Sequence, residues 1–175
     1  MTHPGPSKTA VVILNYNGAH WLQAFLAGVV EHSRDWASIW VADNGSTDSS
    51  KEQANAIPEV HWLDLGQNYG FAEGYNRAIA HIQAEYIVLL NSDVEIKSPW
   101  LQPLLEFMET NPDYAACQPK IKAQLEPSHF EYAGASGGFI DAVGFPYCRG
   151  RVFYTTEKDE GQYNSRMDIH WASGC

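Results

Sequence analysis

Several signatures of common protein classes are missing from this sequence of 175 residues. It has no CxxC pair and no HExxH pair, and its three cysteines are widely spaced, so neither a zinc ribbon nor a disulfide framework is indicated. The absence of GxxxxGK[ST] excludes a P-loop, and the absence of GxGxxG weakens a dinucleotide-binding interpretation. Basic residues are also scarce, with 11 Lys and Arg against 21 Asp and Glu. The resulting net charge of −10 argues against nucleic-acid binding but allows a small phosphate ligand.

Long apolar runs are missing as well. None approaches the roughly 20 residues that span a bilayer, and the N-terminal MTHPGPSKTA lacks the apolar stretch of a signal peptide. We therefore expect a cytoplasmic protein whose residues 1–8 form a flexible N-terminus.

Short β-rich runs alternate with helical patterns over the first two thirds of the chain. The order predicts an α/β fold with a mostly parallel, Rossmann-like sheet and helices on both faces. The predicted strands are residues 9–15, 39–42, 60–65 and 86–90, with a fifth at 114–118. Beyond Lys120 the sequence becomes rich in Gly, Pro and Tyr. There we expect residues 155–166 to form a mobile loop with too little apolar content for a core of its own.

Polar clusters stand where each of the first four predicted strands ends. They are Asn15-Tyr16-Asn17, Asp43-Asn44, Gln67 to Gly70, and Asn91-Ser92-Asp93. Because ligands of open parallel sheets bind outside the carboxyl ends of the strands, this placement predicts a binding site along one edge. Turn chemistry accounts for each cluster taken singly, and the second one continues into a possible Ser49-x-x-Glu52 capping box.

The residue types at this edge suit a nucleotide and a divalent cation. Asp43 can accept hydrogen bonds from a base or a ribose, and Tyr16 offers a ring for stacking. Asp93, flanked by neutral oxygens, suits Mg²⁺ or Mn²⁺ completed by phosphates and water. Gly70 allows a close approach of the backbone to a ligand.

Four segments, VVILNYNG, VADNGSTDSS, NYGFAEGYNRAI and YIVLLNSDVE, resemble in order and spacing the family 2 inverting glycosyltransferases with the GT-A fold. The resemblance is to their bacterial rhamnosyltransferase-like branch, which builds polysaccharides. It covers residues 9–119, implied to be the nucleotide-sugar-binding α/β half, and resumes at WASGC in an incomplete acceptor-side half, residues 120–175.

The resemblance implies a transferase that moves a sugar, with inversion, from a nucleotide-diphospho-sugar to a glycan or lipid-linked acceptor. It implies Mg²⁺ or Mn²⁺ as cofactor and a possible peripheral association of the full-length protein with the cytoplasmic face of the membrane. The nucleotide-binding residues implied are Asn15, Tyr16, Asp43, Asn68, Gly70, Asn76 and Ser92. Those implied for the metal are Asp93 and Asn91, and those for the acceptor side are Trp171, Ser173 and Gly174.

One departure from the family concerns the general base. The family has an acid pair a few dozen residues beyond the WASG segment, so we expect the base beyond Cys175 and poor transfer by this chain alone. Asn91 also replaces the first acid of a DxD-type motif, which predicts weak metal affinity. Two alternatives stay open: a nucleotide-binding module without catalysis, and a nucleotidyltransferase, although the first turn has no Lys or Arg for the latter.

Overall fold

The computed structural model describes residues 8–173, which divide into two compact units, residues 8–102 and 103–173. The elements of the first unit are β1 (Thr9–Asn15), α1 (Ala19–Ser33), β2 (Ser38–Asp43), α2 (Ser50–Asn55), β3 (Val60–Asp64), α3 (Phe71–Ala80) and β4 (Tyr86–Asn91). Helix α4 (Leu101–Thr110) begins at the end of this unit and continues into the second. No helix within residues 8–173 has the length and apolar character needed to cross a membrane.

The four strands of the first unit form one parallel sheet in the order β3-β2-β1-β4. The predicted α/β fold is confirmed, and each of the four predicted strands lies within one residue of its observed bounds. The chain steps from β1 through β2 to β3 in one direction and then crosses back to β4. Because such crossovers are right-handed, α1 and α2 cover one face and α3 covers the other. The carboxyl ends of all four strands meet at one edge.

Burial on both faces explains the near-continuous apolar sequence of β1. Ala10 and Val12 pack in a cluster with Tyr75 and Ala78 of α3, while Val11, between them, is also fully buried. Alternate side chains of a strand point to opposite faces, so both faces of the middle of this strand need apolar side chains.

The second unit is built on short hairpins. Its strands are β5 (Gly138–Ile140), β6 (Pro146–Cys148), β7 (Arg151–Val152) and β8 (Thr155–Thr156), paired antiparallel as β5-β6 and β7-β8. A small core surrounds Phe130, which is fully buried, together with Ala135 and Cys148.

The structure corrects two expectations for this region. Residues 114–118, all within the described range, form no strand; side chains hold this stretch instead, since the Tyr114 hydroxyl donates to Asp168 and the Gln118 amide donates to the carbonyl of Gly134. Residues 155–166 begin in β8 and are anchored by ion pairs from Asp159 to Lys120 and Lys122. Ion pairs and a small core therefore hold this segment in place, although its apolar content is low.

Candidate functional site

The strand register sets the predicted site residues of the first unit side by side. Asn15 at the end of β1 stands opposite Asp43 at the end of β2, and Leu14 stands opposite Asn91 at the end of β4. Neighbouring strands of a sheet lie about 4.8 Å apart. The predicted nucleotide cluster, at the ends of β1 and β2, is therefore one to two strand spacings from the predicted metal cluster at the end of β4, along the same edge of the sheet.

Asn15 and Asp43 make direct contact below the surface of this edge. The Asn15 Nδ2 donates to Asp43 Oδ1 and to Ser46 Oγ, both at 3.1 Å. The other carboxylate oxygen, Asp43 Oδ2, accepts the backbone N–H of Ser46 at 2.9 Å. Asn15 is fully buried, whereas Asp43 keeps a small exposed fraction of 4%.

A second set of hydrogen bonds ties the turn after β1 to the turn after β2. The backbone N–H of Asn17 donates to Ser46 Oγ, and the backbone N–H of Thr47 donates to Asn17 Oδ1, each at 2.8 Å. Asn17 takes a positive φ of 50°, which asparagine tolerates better than most residues. The Asn and Ser residues of both turns could be recognised in the sequence as turn formers. The hydrogen bonds between the two turns, about 30 positions apart, could not be predicted from it.

The Asp48 carboxylate caps two helices at once. Its Oδ2 accepts the first backbone N–H of α1, from Ala19, at 3.0 Å, and its Oδ1 accepts the first backbone N–H of α2, from Ser50. Burial opposes ionisation, but the hydrogen bonds from the Ser50 hydroxyl and from these backbone groups outweigh it and lower the pKa of Asp48 below 3.8. The predicted capping box is wrong, because Ser49 makes no capping hydrogen bond with its side chain and Asp48 takes that role.

Asn44 organises the loop after β3. This residue is 3% exposed, its amide nitrogen donates to Asn68 Oδ1 and to the carbonyl of Gly70, and its Oδ1 accepts the backbone N–H of Tyr69. Gly70, with φ of 77°, opens α3 and lies exposed together with Asn68. Two of the residues predicted to contact the nucleotide are thus fixed from beneath by one buried amide.

Other predicted nucleotide-binding side chains are accessible. Tyr16 is 53% exposed immediately after β1, as a stacking ring requires. Asn76 is exposed in the second turn of α3. Ser92 is half-buried, and its Oγ lies 3.5 Å from the position of a Cβ on Gly18.

The segment that follows β4 runs along α1 and thereby places Asp93. It starts at Ser92 beside Gly18, passes Gly28, where the carbonyl oxygen of Ile96 lies 3.0 Å from the position of a Cβ, and ends at Trp100. Asp93 is exposed in this segment, next to half-buried Asn91 and Ser92.

Asp93, Asn91 and Ser92 are residues of the types that bind a divalent cation together with a phosphate ligand. Within the described part of the chain, no three His, Cys, Asp or Glu side chains gather as a metal site. One exposed carboxylate beside neutral oxygens matches Mg²⁺ or Mn²⁺, which keep waters and bind ligand phosphates along with one or two protein carboxylates. Asp93 is the carboxylate in this set, and Asn91 and Ser92 supply the neutral oxygens.

The predicted acceptor residues have packing contacts in the second unit. The Trp171 ring fills the space at Gly138, where a Cβ would lie 2.0 Å from it, and the backbone N–H of Ser173 donates to the Gln118 side chain. Gly174 lies outside the described residues. A cavity of about 360 Å³ in this unit is lined by Tyr114, Arg149 and Arg166 among others, but neither Trp171 nor Ser173 lines it.

A family model and curated relatives match this chain. The family described as Glycosyl transferase family 2 matches residues 10–175. An N-acetylglucosaminyl-diphospho-decaprenol L-rhamnosyltransferase of Mycobacterium tuberculosis is 26% identical over 94% of this chain and 58% of its own length. A putative teichuronic acid biosynthesis glycosyltransferase of Bacillus subtilis, TuaG, is 29% identical over 57% of this chain and 41% of its own length. The chain therefore spans about three fifths of the former relative and less of the latter.

Solved structures share the fold at low sequence identity. Residues 1–349 of TarS from S. aureus, in complex with UDP-GlcNAc, superpose with a TM-score of 0.60 and 17% identity over 67% of this chain and 35% of that one. A mannosyltransferase of Pyrobaculum calidifontis, in complex with GDP-Man and Mn²⁺, gives 0.52 and 20% identity over 67% and 36%. The predicted GT-A fold is confirmed by these neighbours.

Proposed function

The chain belongs to glycosyl transferase family 2, and from this premise we propose that it binds a nucleotide-diphospho-sugar at the carboxyl edge of its parallel sheet. The sugar passes, with inversion, to a glycan or lipid-linked acceptor in bacterial polysaccharide synthesis. The observation that supports the proposal is the register that sets Asn15 beside Asp43 and Leu14 beside Asn91, since it brings the residues proposed for the nucleotide and those proposed for the cation to one edge.

In this proposal the nucleobase lies at the ends of β1 and β2. The Tyr16 ring stacks on the base, and the Asp43 carboxylate accepts an N–H from it. The loop of Asn68 and Gly70, held by buried Asn44, faces the ribose and the sugar. Asp43 is held by Asn15 and by the backbone of Ser46, and the loop is held by Asn44, so these groups need little reorganisation to bind.

The diphosphate lies toward the end of β4. Asp93, with Asn91 and Ser92, would hold Mg²⁺ or Mn²⁺, and the cation would supply positive charge to neutralise the leaving diphosphate. The N-terminal N–H groups of α1 and α2 that Asp48 accepts are not available to the phosphates. We therefore expect a cation to neutralise the negative charge of the phosphates.

One relative supports a proposal for the acceptor. The Mycobacterium tuberculosis relative is named for a diphospho-decaprenol substrate, and we propose a lipid-linked sugar of comparable chemistry here. Such an acceptor would bring the protein to the cytoplasmic face of the membrane. The general base for the acceptor hydroxyl is not assigned to any residue of this chain.

Calorimetric titration with UDP, dTDP and GDP, each with and without Mn²⁺, tests the proposal. We expect at least one nucleotide to bind more tightly with Mn²⁺, and Asp93→Ala to weaken that metal-dependent binding about tenfold, a change of roughly 1.4 kcal/mol. Asp35→Ala is the matched control, because this exposed acid follows α1 at the opposite edge of the sheet. A nucleotide affinity that changes neither on addition of Mn²⁺ nor in Asp93→Ala would favour a nucleotide-binding module without metal-dependent chemistry.

A further inference from the structure

Asn15 is placed to act on the nucleotide through another residue. Its side chain is fully buried, and its Nδ2 donates to Asp43 Oδ1 and Ser46 Oγ, 28 and 31 positions away along the chain. A side chain without solvent exposure cannot contact a bound nucleotide unless the strand ends open. What it does contact is the carboxylate that the proposed function assigns to the base.

The amide has one orientation that its surroundings accept. When Nδ2 faces Asp43, the amide donates a charge-assisted hydrogen bond to the carboxylate. If the amide were flipped, its oxygen would face the carboxylate oxygen, and the two would repel each other. The Asn15 Oδ1 then points toward Gly18 and has no hydrogen-bond donor among residues 8–173. The carboxylate of Asp43 therefore determines how Asn15 sits, and Asn15 in turn restricts Asp43.

Gly18 supplies the space that this arrangement needs. A Cβ on Gly18 would lie 2.3 Å from Asn15 Oδ1, well inside contact distance. Any side chain there would push the amide of Asn15 away from its present position. The glycine at the start of α1 is thus explained by the side chain it faces.

Asp43 is held at both oxygens by these partners. Oδ1 accepts the Asn15 amide, and Oδ2 accepts the backbone N–H of Ser46. A carboxylate has about four lone-pair sites, so two remain for a ligand, in directions fixed by the two bonds already made. An N–H on the edge of a nucleobase is a donor that such an oriented carboxylate can accept.

We propose that Asn15 is a positioning residue that orients the Asp43 carboxylate for the nucleobase, and that Gly18 is the residue that admits it. This rests on the proposed function, because Asp43 must face the base for the orientation to matter. It replaces direct nucleotide contact, the role predicted for Asn15, with an indirect one. The effect is specific to the base and leaves the diphosphate and its cation untouched.

The test compares a ligand that has a base with one that lacks it. Affinities for the tightest-binding nucleoside diphosphate and for inorganic pyrophosphate, both with Mn²⁺, are measured for the wild type, Asn15→Ala and Asn15→Ser. Loss of one hydrogen bond to a charged group predicts about tenfold weaker nucleotide binding for Asn15→Ala. Pyrophosphate binding should stay within about twofold, and Asn15→Ser, which keeps a short donor, should recover part of the loss.

Two further variants keep the test decisive. Ser46→Ala removes the other acceptor of the Asn15 amide and should shift the ratio of the two affinities in the same direction, by a smaller factor, even if Asn15→Ala does not fold. Asn55→Ala, an exposed amide at the end of α2, should leave both affinities unchanged. If Asn15→Ala or, failing that, Ser46→Ala leaves the ratio unchanged, or if both ligands weaken equally, Asn15 is only structural and the inference is overturned. If the wild type binds pyrophosphate but no nucleotide, the proposed function fails instead.

Discussion

The indole Nε1 of Trp100 donates a hydrogen bond of 2.9 Å to the Oγ of Ser33, joining the chain after β4 to the last turn of α1. Ser33 is fully buried, and Trp100 is half-buried. Together with Gly28 against Ile96, this bond fixes the far end of the segment that carries Asp93. A residue proposed to hold a metal thus depends on contacts made along a helix rather than at the strand end alone.

Ser33→Ala should destabilise the first unit by about 1 kcal/mol, because the indole N–H of half-buried Trp100 loses its acceptor. Urea denaturation at pH 7 measures the change. Trp100→Phe in the same background should add less than it does alone, since the partner is already missing. Additive effects of the two substitutions would show that the hydrogen bond contributes nothing to stability.

Gly28→Val should weaken the Mn²⁺-dependent part of nucleotide binding. The carbonyl of Ile96 lies 3.0 Å from the Cβ position, so a branched side chain must displace the backbone that leads back to Asp93. Calorimetry with and without Mn²⁺ separates the two contributions, and metal-free binding should be unchanged. Equal losses in both conditions would indicate general damage to the fold.

Asp48→Asn should cost about 1 kcal/mol, as loss of a helix cap does, since one carboxylate serves α1 and α2. The folded pKa is lower than 3.8, so the stabilisation is present above that pH and is lost as the pH falls through the lowered pKa. Thermal unfolding from pH 7 to below pH 3.8 should show the difference between the two proteins shrinking only at the acidic end. Glu52→Gln, at the other position of the predicted capping box, should change the free energy of unfolding little. A loss of stability equal to that of Asp48→Asn would instead support the capping box.

Asp159→Asn should destabilise the second unit in a pH-dependent manner. Hydrogen bonding to Lys120, with further help from Lys122, lowers the pKa of Asp159 to about 2 against the opposing effect of burial. The stabilisation is therefore complete above pH 3.8 and disappears as the pH falls through about 2. Hydrogen exchange of residues 155–166 at two pH values measures it, and a constant difference from the wild type would contradict the ion-pair explanation.

Gly138→Ala should cost about 1–3 kcal/mol through overpacking, because the Trp171 ring occupies the Cβ position. Trp171→Ala should then cost less in the Gly138→Ala background than in the wild type, since the clash is relieved. Denaturation of the four proteins of this cycle gives the coupling. No coupling would mean that the ring can move away freely.

The difference between the two units shows where prediction from sequence reaches its limit. In the first unit, buried runs such as residues 9–15 specify strands locally, and their order leaves few topologies. In the second unit, strands of two or three residues depend on partners such as the Phe130 core and on the ion pairs of Asp159. The predicted strand at residues 114–118 was wrong because its apolar character was not matched by a partner strand.

The sequence by itself determined the parallel sheet and the edge at which its polar residues gather, because strand patterns and turn residues are local properties of the chain. Only the tertiary structure decided which of those residues lie exposed and which lie beneath them. Asn15 supports Asp43 from a distance of 28 residues, and Asp48 caps a helix that begins 29 residues earlier. Hydrogen bonds between turns that are distant in sequence form only when the sheet brings the strand ends together, so no local pattern encodes them.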